Sequence, residues 1–555
     1  MLHHRGARPV RRTGAAWAHN AGKYALIFLP FVCQKSYIRT KHGSIEYNRD
    51  GYLAKPAQPR IFATVAAPSL NAMESIAARV GGSQVGFEFR LDYLQDFAEM
   101  ELRLHQIFLR LRSPYTIATC RRVEAGGQFP GAVEEQANIL AAAVRAGCAW
   151  VDIEIESISQ AGPELLRRFG GAKIVVSVHD FKKLPPLGET YRRLSKLPAH
   201  AVKIAGLARS LSDNLKVRQF LKSHRTASHR AVVIALGASG LPSRLLGLNW
   251  GSAWTFASAS PHFSAAPGQL PAEVLRSVYR VESVDHRTQL YGVVGTRAST
   301  SLSPAMQNAA FHAKRVNAIY LPCETPRLSD FLGFARKLGF AGFSVTMPFK
   351  RAIIRELDWV EPMAAQIGSC NTVAVQRGKW TGWNTDAAAV VEVLTKRLRL
   401  AGSRALILGA GGAARAAAFA LRGEGAMVFI AARREVAARR LASSVSAQVV
   451  PWDSADGLDV DTVINATPIG MSPNVEGLPV DLARLRTRVV FDMVYFPLET
   501  RFLAEARGRG LTTISGLEML VAQGARQFEI WTGQSAPRAL MEQAVRQGFG
   551  IVEND

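Results

Sequence analysis

Acidic residues are in short supply in this chain: 44 Asp and Glu face 68 Lys and Arg across 555 residues, for a formal charge of +24. Charge of that sign points first to nucleic acid, but much of it is local. Residues 1–60 hold eleven Lys and Arg against Glu46 and Asp50 alone. No Lys/Arg stripe interleaved with aromatics occurs, nor any zinc-finger or basic-zipper spacing, so nucleic acid is not an expected partner. The remaining excess suits an enzyme of anionic metabolites and a phosphorylated cofactor. Cysteine is sparse too. Cys33, Cys120, Cys148, Cys323 and Cys370 are odd in number and scattered; they make neither a disulfide framework nor a metal site and read as free thiols in a reducing compartment. No metal is expected. Long apolar runs are missing as well. The nearest, Tyr24 to Cys33, spans ten residues, well short of the roughly 20 that a membrane span needs. It follows a basic stretch, as a signal-peptide core does, but no small-residue cleavage pattern comes after it. Residues 1–58 are expected to be a disordered basic extension to a cytoplasmic enzyme, with an Arg-rich, acid-poor plastid transit segment as the alternative.

What remains is long enough for three or four domains. Apolar β-type runs recur every 25–30 residues between Ala/Leu/Arg-rich helical stretches: 61–66, 85–91, 115–120, 150–156, 173–179, 201–205, 231–236 and 254–257. Eight strands alternating with helices predict an α/β fold, a (β/α)8 barrel over 59–280, with an open doubly wound sheet as the competitor. Barrel chemistry sits at the C-terminal ends of strands, and polar residues cluster there: Glu88, Arg90, Arg121, Asp152, Glu154, His179 and Lys203. Residues 276–289 are polar and read as a linker. A second α/β unit over 288–386 has expected strands at 291–295, 318–322, 342–346 and 371–376, and is completed by C-terminal helices from about 525 to 555. Between them, 387–524 should form a Rossmann nucleotide domain.

Lys203 interrupts an apolar run, AVKIAG. Desolvation favours the neutral amine, which can attack a ketone to form a Schiff base; an ion pair with a Glu of a neighbouring strand is the alternative. His179 ends the preceding strand and is placed to move protons. Glu88 and Arg90 share strand parity and should face inward, and Arg90, Arg121 and Arg244 are candidates to grip a carboxylate. The segments FEFRLD (87–92), VDIEIE (151–156), VVSVHDF (175–181), VKIAG (202–206) and AAPGQ (265–269) together resemble type I 3-dehydroquinate dehydratase. The resemblance implies a Schiff base between Lys203 and the C3 ketone, His179 as general acid/base, and substrate binding by Glu88, Arg90, Arg121, Arg244 and Gln269. Two positions depart from it. Ala125 stands where the family usually has a Glu before Gly-Gly, with Glu124 adjacent, and Ala265 replaces a Ser, with Ser264 adjacent.

The run RALILGAGGAARAAAFAL (404–421) reads as strand, glycine turn and helix. Gly409 would make the turn, Gly411 admit a pyrophosphate and Gly412 open the helix, with Ala410 and Ala413 between and after them. The next strand ends without the Asp or Glu expected for NAD; Arg433 and Arg434 stand there and suit a 2′-phosphate, so NADP(H) is the expected cofactor. Upstream, Lys350 follows SVTMPF, and Asp386 closes NTD. A hydride enzyme making an alcohol needs a proton donor at the carbonyl, a role this pair can fill. STSLSP (299–304), FSVTMPFK (343–350), GSCNT (368–372), GWNTD (382–386), INATPIGM (464–471), FDMVYFP (491–497) and GLEMLVAQGARQF (516–528) resemble shikimate dehydrogenase. That resemblance implies substrate contacts from Ser301, Ser303, Thr346, Asn371, Tyr495 and Gln523 and a catalytic pair of Lys350 and Asp386. It places Asn465, Thr467, Met471 and Gly516 with the cofactor. Arg297, Thr300 and Ala432 depart from the family's usual residues. Taken together, the resemblances imply two consecutive shikimate-pathway steps on small anionic substrates. A regulator built on the same folds, or a quinate or aminoshikimate dehydrogenase, is the alternative.

Overall fold

The computed structural model describes residues 37–40, 43–46, 59–81, 84–111, 113–227, 229–260 and 263–552. Strands β1 (Tyr37–Thr40) and β2 (Gly43–Glu46) form an antiparallel pair in a unit of their own. The run at 24–33, Cys33 and the rest of the expected extension lie outside the described residues. Residues 60–555 cluster as one compact unit.

Eight parallel strands come first in that unit: β3 (Ile61–Val65), β4 (Gly86–Arg90), β5 (Thr116–Thr119), β6 (Trp150–Glu154), β7 (Lys173–Asp180), β8 (Ala201–Leu207), β9 (Arg230–Leu236) and β10 (Thr255–Ser258). They run in sequence order around a near-closed barrel, with β10 pairing back to β3. The doubly wound alternative fails here because its strand order would have to reverse, whereas β3 to β9 each lie beside their neighbour in sequence. Helices cover the outer face, so most of each strand is buried and reads as a continuous apolar run. The inward face is graded. Phe62, Ile117, Trp150, Val175, Ala201, Trp254 and Phe256 fill one end of the barrel. Two residues further along the same faces stand Thr64, Thr119, Asp152, Ser177 and Lys203.

The second sheet is mixed, ordered β12–β11–β13–β15–β16–β14, from β11 (Gln289–Gly295), β12 (Ala318–Glu324), β13 (Phe340–Val345), β14 (Trp359–Val360), β15 (Thr372–Gln376) and β16 (Lys379–Trp383). Strands β14 and β16 add to the four expected. The β15–β16 hairpin turns at Arg377 and Gly378, both with positive φ (51° and 77°), the backbone of a two-residue hairpin loop. The third sheet is all parallel, ordered β19–β18–β17–β20–β21–β22: β17 (Arg404–Leu408), β18 (Met427–Ala431), β19 (Gln448–Val449), β20 (Thr462–Asn465), β21 (Val489–Asp492) and β22 (Thr512–Ile514). Counted from β17 this is 3-2-1-4-5-6, the nucleotide-binding order, with its switch point between β17 and β20. Helices Gly516–Thr532 and Arg538–Val552 return to the second sheet, where Phe528, Met541 and Val545 pack with Met306 and Phe311.

The stretch expected to be a polar linker is anchored instead. Tyr279, Val281 and Val284 are buried and join a core cluster that includes both barrel residues and residues of the second sheet. Three apolar side chains are enough to seat it, and its intervening polar residues face outward.

Candidate active sites

The polar layer of the barrel is organised by two carboxylates. Glu88 accepts from Thr64 Oγ1 at 2.7 Å and Thr119 Oγ1 at 3.1 Å. Asp152, fully buried, accepts from Ser177 Oγ at 2.6 Å and from Arg121 at 3.1 Å. Lys203 Nζ reaches both, at 2.8 Å from Asp152 and 3.2 Å from Glu88, and lies 3.9 Å from the centre of the Phe256 ring. Lys203 is thus ion-paired, as in the alternative reading, because β4 and β6 each aim a carboxylate into the layer that β8 enters. Burial alone would raise the Asp152 carboxyl, but Lys203, Arg121 and His179 together hold it well below the ordinary range.

His179 Nδ1 lies 2.9 Å from Arg121 Nη1. A guanidinium only donates, so Nδ1 must be an acceptor and the ring carries its proton on Nε2. Burial first, then the positive charge of Arg121 and Lys203, holds the imidazole well below its usual value. The ring stacks on Phe181 and borders a cleft of about 530 Å³ that Lys182, Glu189 and Arg193 also line. A neutral imidazole beside a buried primary amine is equipped to take a proton from carbon next to an activated ketone.

Of the three arginines expected to grip a carboxylate, two are already occupied. Arg90 makes a bidentate pair with Asp92 at 2.8 and 2.7 Å, and Arg121 serves Asp152, Ser177 and His179. Arg244 is different. It is buried, hydrogen-bonds only the carbonyls of Phe256 and Pro267, and has no carboxylate partner among the described residues. Burial pushes its pKa down to about 10. Such a guanidinium is costly unless an anion completes it. Gln269 is beside Thr64, donating to its hydroxyl at 3.0 Å. Glu124 does not replace the acid missing at Ala125, since it is exposed and paired with Arg122. Ser264 turns back to the Ala266 carbonyl, 2.7 Å away, and leaves the Ala265 position without a hydroxyl. Asp152 and Ser177, absent from the expected binding set, are the hub of the layer; their inward parity with Lys203 was the available signal.

In the second sheet, Lys350 follows β13 and Asp386 sits in the first turn of helix Thr385–Thr395, Nζ to carboxylate 2.6 Å. The Asn384 side chain caps that helix and donates to Ser369 O at 2.7 Å. Asn371, expected against substrate, is spent on the pair: it donates to Asp386 at 2.8 Å and to Thr385 Oγ1, and accepts from the Thr385 amide. Ser301 accepts from the Ser303 amide at 3.2 Å, at the head of helix Ser303–Ala313. Thr346 is half-buried at the end of β13. Tyr495, whose hydroxyl pKa burial raises, packs with the cluster around Met306 and Leu517. Gln523 donates to the Leu520 carbonyl of its own helix. One turn on, Gln527 accepts from Ser344 Oγ at 2.8 Å.

The nucleotide turn lies at the switch point. Gly409 has φ 116°, and a Cβ there would stand 3.0 Å from Ala466 O; its amide donates to Ala431 O at 2.7 Å. Gly411 caps helix Gly412–Gly423 with no side chain, and nothing lies within 4 Å of where its Cβ would be. Ala410 and Ala413 flank this open helix start and are half-buried. Lys350 Cδ comes 3.8 Å from the corresponding point at Gly412, so the Lys–Asp pair and the helix start share one site. Arg433 and Arg434, exposed just beyond β18, have no ion pair among the described residues, and the nearby Glu435 is taken by Arg439. Free amides at a helix start, space above them and two unpaired guanidiniums fit a phosphorylated dinucleotide.

Two residues expected to touch the cofactor serve the frame instead. Asn465 is fully buried; it accepts from Thr467 Oγ1 at 2.7 Å and donates to Asp492 at 2.9 Å and to the Ile469 carbonyl. It shapes the loop that carries half-buried Thr467 and Met471. Gly516 is needed because a Cβ would fall 2.3 Å from Val494 O, the carbonyl preceding Tyr495. Among the described residues no helix is long and apolar enough to cross a membrane, and no cluster of His, Cys, Asp or Glu has the makings of a metal site.

Family models match three segments: Type I 3-dehydroquinase over residues 61–286, the shikimate dehydrogenase substrate binding domain over 293–373, and the shikimate 5′-dehydrogenase C-terminal domain over 516–546. A bifunctional 3-dehydroquinate dehydratase/shikimate dehydrogenase, chloroplastic, of Arabidopsis thaliana is 32% identical over 531 residues, covering 91% of this chain and 87% of its own length. The shikimate dehydrogenase (NADP(+)) of Thermococcus kodakarensis is 40% identical over 269 residues, 48% of this chain and 98% of that protein. A shikimate 5-dehydrogenase from Thermus thermophilus, solved with NADP(H) and shikimate, is 37% identical, covers 47% of this chain and 100% of its own, and superposes with a TM-score of 0.44.

Proposed function

The chain belongs to the bifunctional 3-dehydroquinate dehydratase/shikimate dehydrogenase family, and from that premise we propose that its barrel converts 3-dehydroquinate to 3-dehydroshikimate and its second site reduces that product to shikimate with NADPH. The observation that carries the reading is Arg244, a buried guanidinium without a carboxylate among the described residues, in the same barrel as an inward-facing lysine. An anionic ketone answers both.

In the barrel, Lys203 passes a proton to His179 and attacks the C3 ketone; His179 returns that proton to the carbinolamine oxygen, which leaves as water and gives the iminium form of a Schiff base, the electron sink. His179 takes the proton from the adjacent carbon and returns it to the departing C1 hydroxyl, which leaves as water. Hydrolysis then restores Lys203 and releases the enone. Asp152 and Glu88 balance the charge as the nitrogen becomes iminium. At the second site, Lys350 donates a proton to the developing alkoxide and Asp386 holds its amine in place. Ser301, Ser303 and Thr346 orient the substrate, with Tyr495 and Gln523 alongside. Bound NADPH supplies the hydride; the open helix start at Gly411–Gly412 would hold its pyrophosphate, and Arg433 and Arg434 its 2′-phosphate. Residues 1–58, basic and poor in acids, fit a plastid transit segment.

The test supplies 3-dehydroquinate with and without NADPH. Enone absorbance should rise without cofactor, and NADPH should be consumed when present. No absorbance change in the first arm rejects the dehydratase. Borohydride should trap substrate on the wild type and not on Lys203→Ala; trapping that persists in the variant rejects Lys203 as the Schiff-base lysine.

A further inference from the structure

The loop bearing Ser301 and Ser303 has few anchors of its own. Its first turn, Ala298–Thr300, has no side-chain cap, and the Ser301 and Thr300 hydroxyls bond within the loop. Ala298 and Leu302 seat it in the core around Met306, and among the described residues one side chain from outside hydrogen-bonds it. Glu324, half-buried at the end of β12, accepts from Ser299 N at 3.1 Å and from Ser299 Oγ at 2.5 Å through the same carboxylate oxygen.

Glu324 is itself held by the barrel. Its backbone carbonyl accepts from Ser239 Oγ at 2.9 Å, and Ser239 lies in the turn Ala238–Gly240 that follows β9. The Ser239 carbonyl is fixed by Asn214 Nδ2 at 2.8 Å. A second clasp lies a few residues on. Asp330 accepts from the amides of Leu211 and Ser212 at 2.8 and 3.2 Å and from Ser212 Oγ at 2.7 Å, at the start of the helix that carries Asn214. The turn after β12 is thus gripped by barrel elements at both ends.

We propose that Glu324 is the positioning residue of the serine loop, and that Ser239 of the dehydratase barrel holds Glu324 in register for the dehydrogenase. The inference rests on the reading that Ser301 and Ser303 contact the dehydrogenase substrate. A loop already ordered forfeits less freedom when substrate binds. The proton moves at the Lys350–Asp386 pair rather than at the serines, so the loop's contacts with substrate are the same in ground and transition states. Losing its anchor therefore raises KM and spares kcat. Glu324 also puts negative charge near an anionic substrate, so removing the charge alone would lower KM.

The test uses the full chain with 3-dehydroshikimate and NADPH. Glu324→Ala should raise KM for 3-dehydroshikimate about tenfold, the size of one lost charge-assisted hydrogen bond. The kcat, the KM for NADPH and the dehydratase rate should stay within about twofold, a change below half a kcal/mol. Glu324→Gln keeps an oxygen for both Ser299 donors and removes the charge, so its KM should return to the wild-type value or fall below it. Ser239→Ala should raise the same KM by a smaller factor. An unchanged or lowered KM in Glu324→Ala overturns the proposal, as does an equal loss in both half-reactions. An unchanged KM in Ser239→Ala overturns the barrel's part in it. A wild type that dehydrates 3-dehydroquinate yet fails to reduce 3-dehydroshikimate overturns the functional reading, and this inference with it.

Discussion

Lys203 and Asp152 meet 2.8 Å apart inside the barrel, and the same carboxylate also receives Arg121 and Ser177. Removing it leaves buried Arg121 without its carboxylate and Lys203 with Glu88 alone. Asp152→Ala is expected to lower stability by about 3–5 kcal/mol and to abolish dehydration. Denaturant unfolding followed by the fluorescence of Trp150 and Trp254, both in the barrel interior, reads the first effect, and enone absorbance reads the second. Asp152→Asn keeps an acceptor for Ser177 and should fall between the alanine variant and the wild type in stability.

Lys350→Ala is expected to lower the dehydrogenase kcat by about 10²–10⁴-fold, the usual worth of a positioned proton donor. Dehydration of 3-dehydroquinate by the same preparation should be unaffected, which distinguishes lost chemistry from lost folding. Asp386→Asn should cost less in kcat, because the amide still accepts from Lys350.

Much of this arrangement was legible in the sequence. The eight barrel strands announce themselves because burial on both faces makes each one an apolar run, and Lys203 stands out by interrupting one. The order of the third sheet follows from its glycine turn and the helix after it. The second sheet was read less completely. Strand β14 is only two residues long, and β16, KWTGW, mixes charge with aromatics because it is half-exposed. The Arg377–Gly378 pair was the signal for that hairpin. Partnerships were the least visible part: nothing in the order of residues says that Arg90 belongs to Asp92, that Asn371 and Asn465 spend their amides on aspartates, or that Arg244 is left alone. Those assignments depend on which strands and loops become neighbours.

Arg433 and Arg434 have no ion pair among the described residues, so their replacement leaves no stranded carboxylate. The double variant Arg433→Ala/Arg434→Ala is expected to raise KM for NADPH about tenfold or more, the cost of losing charged hydrogen bonds to a phosphate. KM for NADH should barely move. Equal effects on both cofactors would show that the arginines do not read the 2′-phosphate.

Asp492 is buried behind the loop 465–471, and burial raises its carboxyl from 3.8 to about 6 although Thr500, Val494 and Asn465 all donate to it. A carboxyl raised on folding contributes stability that is fully present below about pH 4 and is lost as the pH rises through 6, because the unfolded chain releases the proton first. Asp492→Asn can keep the same neighbours without ionising. At about pH 8 the variant should be more stable than the wild type by up to about 3 kcal/mol. Denaturant titrations should show that advantage shrinking toward pH 4.

The anchored segment around residues 279–285 bears on what joins the two enzymes. Tyr279, Val281 and Val284 lie in an interior shared by the barrel and the second sheet, and Asp285 is bonded to Asn249 on one side and Asn317 on the other. Covalent continuity is therefore redundant with adhesion at this point. A protease nick beside His286 is therefore expected to leave two fragments that still migrate as one particle in size-exclusion chromatography.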